Sequence, residues 1–202
     1  MKPVTVNRNE AVILGMLHAL GRSGCIRTKL VKLVYLADNF AFEQRGRKLT
    51  DFDYVWDHHG PNAVDDGIVQ TLAGLAKRGL VACAEFQTQY ETYGTKYSVP
   101  VSRWQPAPAD LALAPQDWAA IERIAATYGR KSWQSVVQAS KESHPVREAR
   151  QYSVLKFSHN PLLEKKRASL WDRHGALLEE SFGAAARDEP GTPLEKLRAK
   201  YA

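Results

Sequence analysis

Apolar residues recur at helical spacing near the start of the chain. One such segment follows Asn9 and ends before Gly21, and a longer one lies between Thr28 and Gly46. Asn and Thr are favoured N-terminal caps, and Gly often ends a helix because it adopts a left-handed conformation without strain. The pattern therefore predicts two helices, capped by Asn9 and Thr28, of which the second has the longer apolar stripe.

A strand, a third helix and a hairpin are predicted next. The segment DFDYVWDHH alternates aromatic with acidic residues, which is the period of a half-buried strand, and the Gly60-Pro61 pair is predicted to end it. Asn62 is the predicted cap of a third helix that runs to about Arg78. A β-hairpin is predicted for residues 80–99, because two strand-like segments flank a polar turn there.

After a proline-rich linker, the chain is predicted to be helical up to residue 182. The predicted helices span residues 116–128, 132–143 and 161–182, with Ser132 as a cap and a break at His144-Pro145. The predicted domains are a core, a linker, a helical extension packed on the core and a flexible tail, at residues 1–100, 101–115, 116–182 and 183–202. The fold class that follows is α+β, mainly α, with a short strand and a hairpin in winged-helix-like order.

Composition narrows the class of protein. The two cysteines, Cys25 and Cys83, are far apart and have no CxxC spacing, which argues against a disulfide framework and a thiolate metal site. The first residues lack the apolar segment of a signal peptide, and no stretch approaches the ~18 apolar residues that a membrane span needs. The expectation is a cytoplasmic protein that does not contact the membrane.

Signatures of the common enzyme classes are missing from the sequence. It contains no GxGxxG or GxxxxGK[ST] motif, no HExxH motif and no GxSxG motif. Asp57, His58 and His59 form the densest titratable cluster, but adjacent strand residues point to opposite faces, so a structural or solvent-facing role is favoured over a metal site. We predict no catalytic residues, no metal, no cofactor and no enzymatic activity. Trp118, Trp133 and Trp171 are expected in the core.

Basic charge is concentrated in one part of the chain. The net charge is +6, and residues 21–48 hold seven basic and two acidic residues, a local charge of +5. Together with the winged-helix-like order, this makes a DNA-binding regulator the main alternative function. The predicted recognition helix, residues 62–79, however, opens with Asp65 and Asp66, has its only basic residues, Lys77 and Arg78, at the far end and carries no net charge, which disfavours contact with DNA phosphates.

Three segments in order carry a resemblance to a known family: KLVKLVYLADNFAFEQRGRKLT, YVWDHHGPN and GIVQTLAGLAKRGLV. In this order and spacing the chain resembles the Panacea domain of SocA-like, or GepA-like, antitoxins over residues 9–99, with a weaker match at SKESHPVREAR. The matching positions are Lys32, Leu33, Tyr35, Ala37, Asp38, Gly46, Leu49, Thr50, Gly60 and Pro61. The chain departs from the family pattern at His59, where Tyr is usual, at Asn62, where a small apolar residue is common, and after His144-Pro145, where the usual Trp is missing.

The resemblance implies an antitoxin that neutralises a cognate protein toxin, commonly by direct binding. In SocA-like members the antitoxin can also act as an adaptor that delivers its toxin to a cytosolic protease. The implied partners are therefore the toxin and, for an adaptor, the protease. DNA is a less favoured partner, and a homo-oligomer stays open.

A toxin-binding surface is expected around the second helix and the turn before Gly60-Pro61. The hypothesis rests on the local positive charge and on aromatic residues at one turn, since aromatic and arginine side chains dominate protein interfaces. Its residues are Arg45, Arg47, Lys48, Tyr54, Trp56 and His59. The alternative is that Tyr35, Asp38 and Trp56 are interior, with Asp38 hydrogen-bonded near the helix end, and it is favoured for Tyr35 and Asp38.

Overall fold

The computed structural model of the protein describes residues 5–87, 93–100 and 111–158. The helices in these residues are α1 (Arg8–Ala19), α2 (Arg27–Arg45), α3 (Gly67–Lys77), α4 (Pro115–Tyr128), α5 (Trp133–Lys141) and α6 (His144–Glu148). The strands are β1 (Cys25–Ile26), β2 (Tyr54–Asp57), β3 (Gly60–Ala63), β4 (Ala82–Gln87) and β5 (Tyr93–Ser98). One antiparallel sheet has the order β1-β5-β4 and the other pairs β2 with β3. The predicted α+β, mainly α class is confirmed.

Helix α1 is capped two residues earlier than predicted. The side chain of Asn7 accepts a hydrogen bond from the Glu10 amide at 2.9 Å, and the Glu10 carboxylate accepts one from the Asn7 amide at 3.0 Å. This reciprocal pair is a capping box. The predicted cap, Asn9, lies inside the helix, and its side chain accepts a hydrogen bond from the Asp51 amide at 2.9 Å.

Helix α2 begins directly after β1, so the predicted cap at Thr28 is wrong. Ile26 occupies the capping position and makes no side-chain cap. The pairing of β1 with β5 holds Ile26 in an extended conformation, with φ −71° and ψ 147°, so the helix can start at the next residue. At the other end Gly46 adopts a left-handed conformation, with φ 71°, and ends the helix as predicted.

The segment after β2 is a second strand, where the sequence predicted a strand end and a helix cap. Gly60-Pro61 and Asn62 belong to β3, which pairs with β2 across a turn formed by His58 and His59. Gly60 has a φ of 88°, and a Cβ atom there would lie 3.2 Å from the side chain of Lys141. The hairpin therefore depends on a glycine where it meets α5, and this contact between distant segments is invisible in the local pattern.

Helix α2 lies at the centre of the core. All of residues 30–39 are buried, and α1, α4, α5 and β3 pack around them. Ile121 of α4 and Val136 of α5 belong to the same cluster of buried apolar side chains as those of α1 and α2. A helix buried on every side needs neighbours on every side. The helices after the proline-rich segment therefore complete the core of the helices before it.

Several parts of the predicted organisation lie outside the described residues. They are residues 101–110 of the linker, the helix at 161–182 and the tail at 183–202. Leu111 and Leu113, at the end of the predicted linker, are buried in the core. The boundaries of the four predicted domains stay a prediction.

The remaining helices and strands agree in part with those predicted from the sequence. The hairpin predicted for residues 80–99 is confirmed by β4 and β5, whereas β1 was not expected. Ser132 caps α5 as predicted, because its hydroxyl accepts a hydrogen bond from the Ser135 amide at 3.2 Å. The predicted break at His144-Pro145 is instead the start of α6, which fits proline in the first turn of a helix. No helix in the described ranges is long and apolar enough to cross a membrane.

Candidate functional site

Three polar side chains of α2, Lys32, Tyr35 and Asp38, are buried. Each forms a hydrogen bond with a different later segment of the chain. The Lys32 ammonium donates to the carbonyl of Pro61 at 2.5 Å, and the Tyr35 and Ser143 hydroxyls lie 2.6 Å apart. Since a buried polar group without a partner is costly, these bonds fix where the hairpin and the start of α6 can pack on α2.

Asp38 is the most heavily bonded of the three. One carboxylate oxygen accepts hydrogen bonds from the amides of Leu49 and Thr50, both at 2.8 Å. The other accepts from the Thr50 hydroxyl and, at 2.6 Å, from the Tyr54 hydroxyl. Burial raises the pKa of Asp38 to about 6, against the effect of these hydrogen bonds. The carboxylate is therefore ionised at neutral pH and organises the turn after α2.

Tyr54 is completely buried, so it cannot belong to a contact surface as predicted. Its ring packs edge-on against Tyr35 with the centroids 5.1 Å apart, and Phe157 lies 5.9 Å from both rings. Its hydroxyl is committed to Asp38. The favoured alternative, an interior Tyr35 and Asp38, agrees with this geometry.

Lys32 is only 3% exposed, and no carboxylate in the described residues forms an ion pair with it. Burial lowers the pKa of Lys32 to about 8; the charge of Asp57 opposes this shift and that of Lys141 adds to it. Its one hydrogen bond to a protein acceptor leaves two ammonium protons available. Lys32 is therefore a cation with unused donors.

A polar cavity of about 240 Å³ adjoins Lys32. It is lined by Arg27, Thr28, Val31, Lys32, Asp57, His59, Asn62, Asp66 and Val69. Asp65 and Asp66, beside its rim, both have a left-handed backbone, with φ 52° and 53°, which is unusual for residues other than glycine. The cavity offers donors and acceptors at the start of α2 and can accommodate a polar side chain of a partner.

The predicted basic residues at the other end of α2 are largely engaged within the protein. The Arg45 guanidinium lies 2.5 Å from the carboxylate of buried Asp117, and its side chain is only 20% exposed. Arg47 lies 3.7 Å from the same carboxylate and is half exposed. Lys48 donates to the Phe52 carbonyl. Of these three cations, Arg47 is the most accessible to a partner.

The predicted toxin-binding residues do not form one surface. His59 lines the cavity beside the first turn of α2, whereas Arg45 ends the helix. A helix of this length separates its two ends by about 27 Å. Trp56 is partly buried, and its backbone is hydrogen-bonded to Tyr152 and Ser153. Of the predicted residues, Arg47 and His59 are exposed, and they lie near opposite ends of α2.

His58 and His59 do not point to opposite faces as predicted, because they lie in the turn and not in the strand. Their rings are in contact, with centroids 4.8 Å apart. A metal site needs further ligands. The described residues contain no group of three or more His, Cys, Asp or Glu side chains placed to hold a metal ion.

A family model described as antitoxin SocA-like, Panacea domain, matches residues 30–145. The chain belongs to this family. The matched region of the Panacea domain starts within α2 and extends through α5, and it includes Lys32, Tyr35, Asp38 and the β2–β3 hairpin. The resemblance inferred from the sequence is confirmed. No curated protein and no solved structure shows a significant match to the chain.

The residues that carry the Panacea resemblance are structural in this protein. Hydrogen bonds join Lys32, Tyr35 and Asp38 of α2 to other segments of the core. The carbonyl of Pro61 accepts the bond from Lys32, and Gly60 has the positive φ that the β2–β3 hairpin needs. The family motif therefore defines how the domain folds.

Among the described residues of the Panacea domain, no feature favours the winged-helix DNA-binding alternative. Helix α3, in the place of the recognition helix, buries Ile68, Leu72 and Leu75. The exposed residues just before it are Asp65 and Asp66, whose charges repel DNA phosphates.

Sequence reasoning missed one exposed aromatic residue. Trp133 was expected in the core, but it is 43% exposed at the first position of α5. It lies beside Lys29 and Lys96 at a second cavity. The lack of acidic residues in residues 11–37 and 123–141 was a sequence signal for positive charge near Trp133, but not for the exposure of its ring.

We predict that Asp38→Ala lowers the free energy of unfolding by at least about 3 kcal/mol, because several buried donors lose their acceptor. Urea unfolding followed by circular dichroism measures the change. Asp51→Ala is the matched control, since Asp51 is exposed in the same turn, and it should change the value by less than about 0.5 kcal/mol. Equal effects of the two variants would contradict the structural role of Asp38.

We predict that Lys32 makes stability rise with pH above neutrality. Its pKa is about 8 in the folded chain and 10.5 in the unfolded chain, so the unfolded chain binds more protons between these values. The free energy of unfolding of the wild type, relative to Lys32→Met, should increase by about 2 kcal/mol between pH 7 and pH 9.5. Lys77→Met, at an exposed position, should show no such difference. Parallel pH profiles for the wild type and Lys32→Met would refute the prediction.

Proposed function

We propose that this protein is a cytoplasmic antitoxin that neutralises a cognate protein toxin by direct binding, without making or breaking a covalent bond. The observation that carries the proposal is the match of more than half of the chain to the SocA-like Panacea antitoxin family. The implied partner is a protein toxin. The proposal needs no cofactor and no catalytic residue.

The geometry supports binding through variable surface residues on a fixed scaffold. The motif positions Lys32, Tyr35 and Asp38 are interior, so the fold can stay constant while the exposed positions differ. His59, a departure from the family pattern, is exposed beside the polar cavity. We keep Arg47 and His59 as two separate candidate contacts for the toxin, because both side chains are exposed and they lie near opposite ends of α2.

Delivery to a protease is a separate second step in the proposal. An adaptor first binds its toxin and then presents it to a cytosolic protease, so both mechanisms share the binding step. They differ in whether the toxin survives in the complex.

The test is co-expression of this protein with the product of the neighbouring reading frame. Growth arrest by that product alone, rescue on co-expression and co-purification of a stable complex are the expected results. Rescue that is lost when a cytosolic protease is deleted would assign the adaptor mechanism.

Asp38→Ala provides the matched control for this experiment, because a variant with a disrupted core should lose both rescue and co-purification. A neighbouring product that is harmless and does not bind would overturn the proposal. Salt-sensitive binding of this protein to its own promoter DNA in that case would support the DNA-binding alternative.

A further inference from the structure

A second cavity, of about 340 Å³, lies on the other side of the start of α2 from the Lys32 cavity. Ile26 and Lys29 line this cavity, whereas Arg27, Thr28, Val31 and Lys32 line the Lys32 cavity, so the two cavities share no lining residue. Its lining residues come from the end of α1, β1, β5 and the turn before α5. They include Cys25 at the floor, Lys29, Lys96 and Trp133.

The two lysines at this cavity face the same space. Both lower the pKa of the Cys25 thiol through their charges, although burial outweighs them and raises it to about 11. The Lys29 ammonium donates to the carbonyls of Gly129 and Lys131, each at 2.7 Å. These acceptors hold Lys29 in place without cancelling its charge.

In the segments that line the cavity, every charged residue is basic. The segments that build it, residues 11–37, 93–100 and 123–141, contain no acidic residue. We define the basic groove as Lys29, Lys96 and Trp133, which line the cavity, together with Arg22, Arg130 and Lys131, which neighbour its lining residues in sequence. Within the described residues, none of its cations has a carboxylate within 4.0 Å. Its charge is therefore available to a partner.

Trp133 is the aromatic anchor of the basic groove. It is 43% exposed, although a tryptophan gains most from burial. Ser132, which caps α5, fixes the backbone beside it, so the ring is presented from a rigid element. Tryptophan and arginine are the residues that most often dominate the binding energy of an interface.

We propose that the basic groove docks an acidic segment of the cognate toxin, with an apolar side chain of that segment packed against Trp133. The inference rests on the proposed antitoxin function and adds a further contact surface to it. Charge complementarity argues for an acidic partner. A protein segment is favoured over a nucleic acid, because the groove offers one exposed ring, whereas single strands are bound by stacking on several.

The test measures affinity between this protein and the purified product of the neighbouring reading frame by isothermal titration calorimetry. Trp133→Ala should weaken binding at least about tenfold. Lys96→Glu combined with Arg130→Glu should weaken it to a similar extent and should reduce its dependence on salt. Lys29 is left unchanged, because its hydrogen bonds to Gly129 and Lys131 hold the fold.

The controls make the same chemical changes away from the groove. Lys77→Glu combined with Arg147→Glu reverses two exposed charges, and Tyr152→Ala removes an exposed ring. Both should bind within about twofold of the wild type. Circular dichroism checks that every variant is folded.

The outcomes separate the inference from the proposed function. Wild-type binding that both groove variants retain, when they are folded, overturns the groove and leaves the antitoxin function standing. Absence of wild-type binding would instead contradict the proposed function. Unchanged affinity for the neighbouring product, with oligonucleotide binding lost in the groove variants, would overturn the inference in favour of a nucleic-acid partner.

Discussion

A helix that is buried on every side and still carries polar side chains must find a partner for each of them. This constraint shapes α2 and the chain around it. The ionised carboxylate of Asp38 holds the turn that follows the helix, Lys32 holds β3, and Tyr35 reaches Ser143 at the start of α6. Removing either group of one of these hydrogen-bonded pairs would leave the other group buried without a partner. The positions of the segments that the pairs join are therefore interdependent.

Local patterns were sufficient to predict the elements but not their contacts. The apolar period and Gly46 predicted α2, and the polar turn predicted the β4–β5 hairpin. By contrast, the segment Gly60–Ala63 was predicted to end a strand and to cap a helix, whereas it forms β3. The local pattern could not show this, because β3 depends on pairing with β2 and on contact with α5. The cap of α1 was missed because Asn7 and Asn9 are equally good caps in isolation.

The candidate site was harder to predict than the fold, because burial decides which charges and rings are available. Arg45 and Tyr54 have the residue types of an interface, but Asp117 and Asp38 engage them inside the protein. Trp133 looked like a core residue and is exposed. The excess of positive charge was visible in the sequence, whereas its division between the two ends of α2 follows from the length of the helix.

The shared core has a consequence for the lifetime of the protein. Lys29, Lys96 and Trp133 are far apart in sequence and adjacent only because α1, α2, β5 and α5 pack into one cluster. Small single cores unfold cooperatively, without stable halves. A protease that captures the unfolded chain would therefore abolish the entire groove in one event, and the half-life of the groove would equal that of the fold.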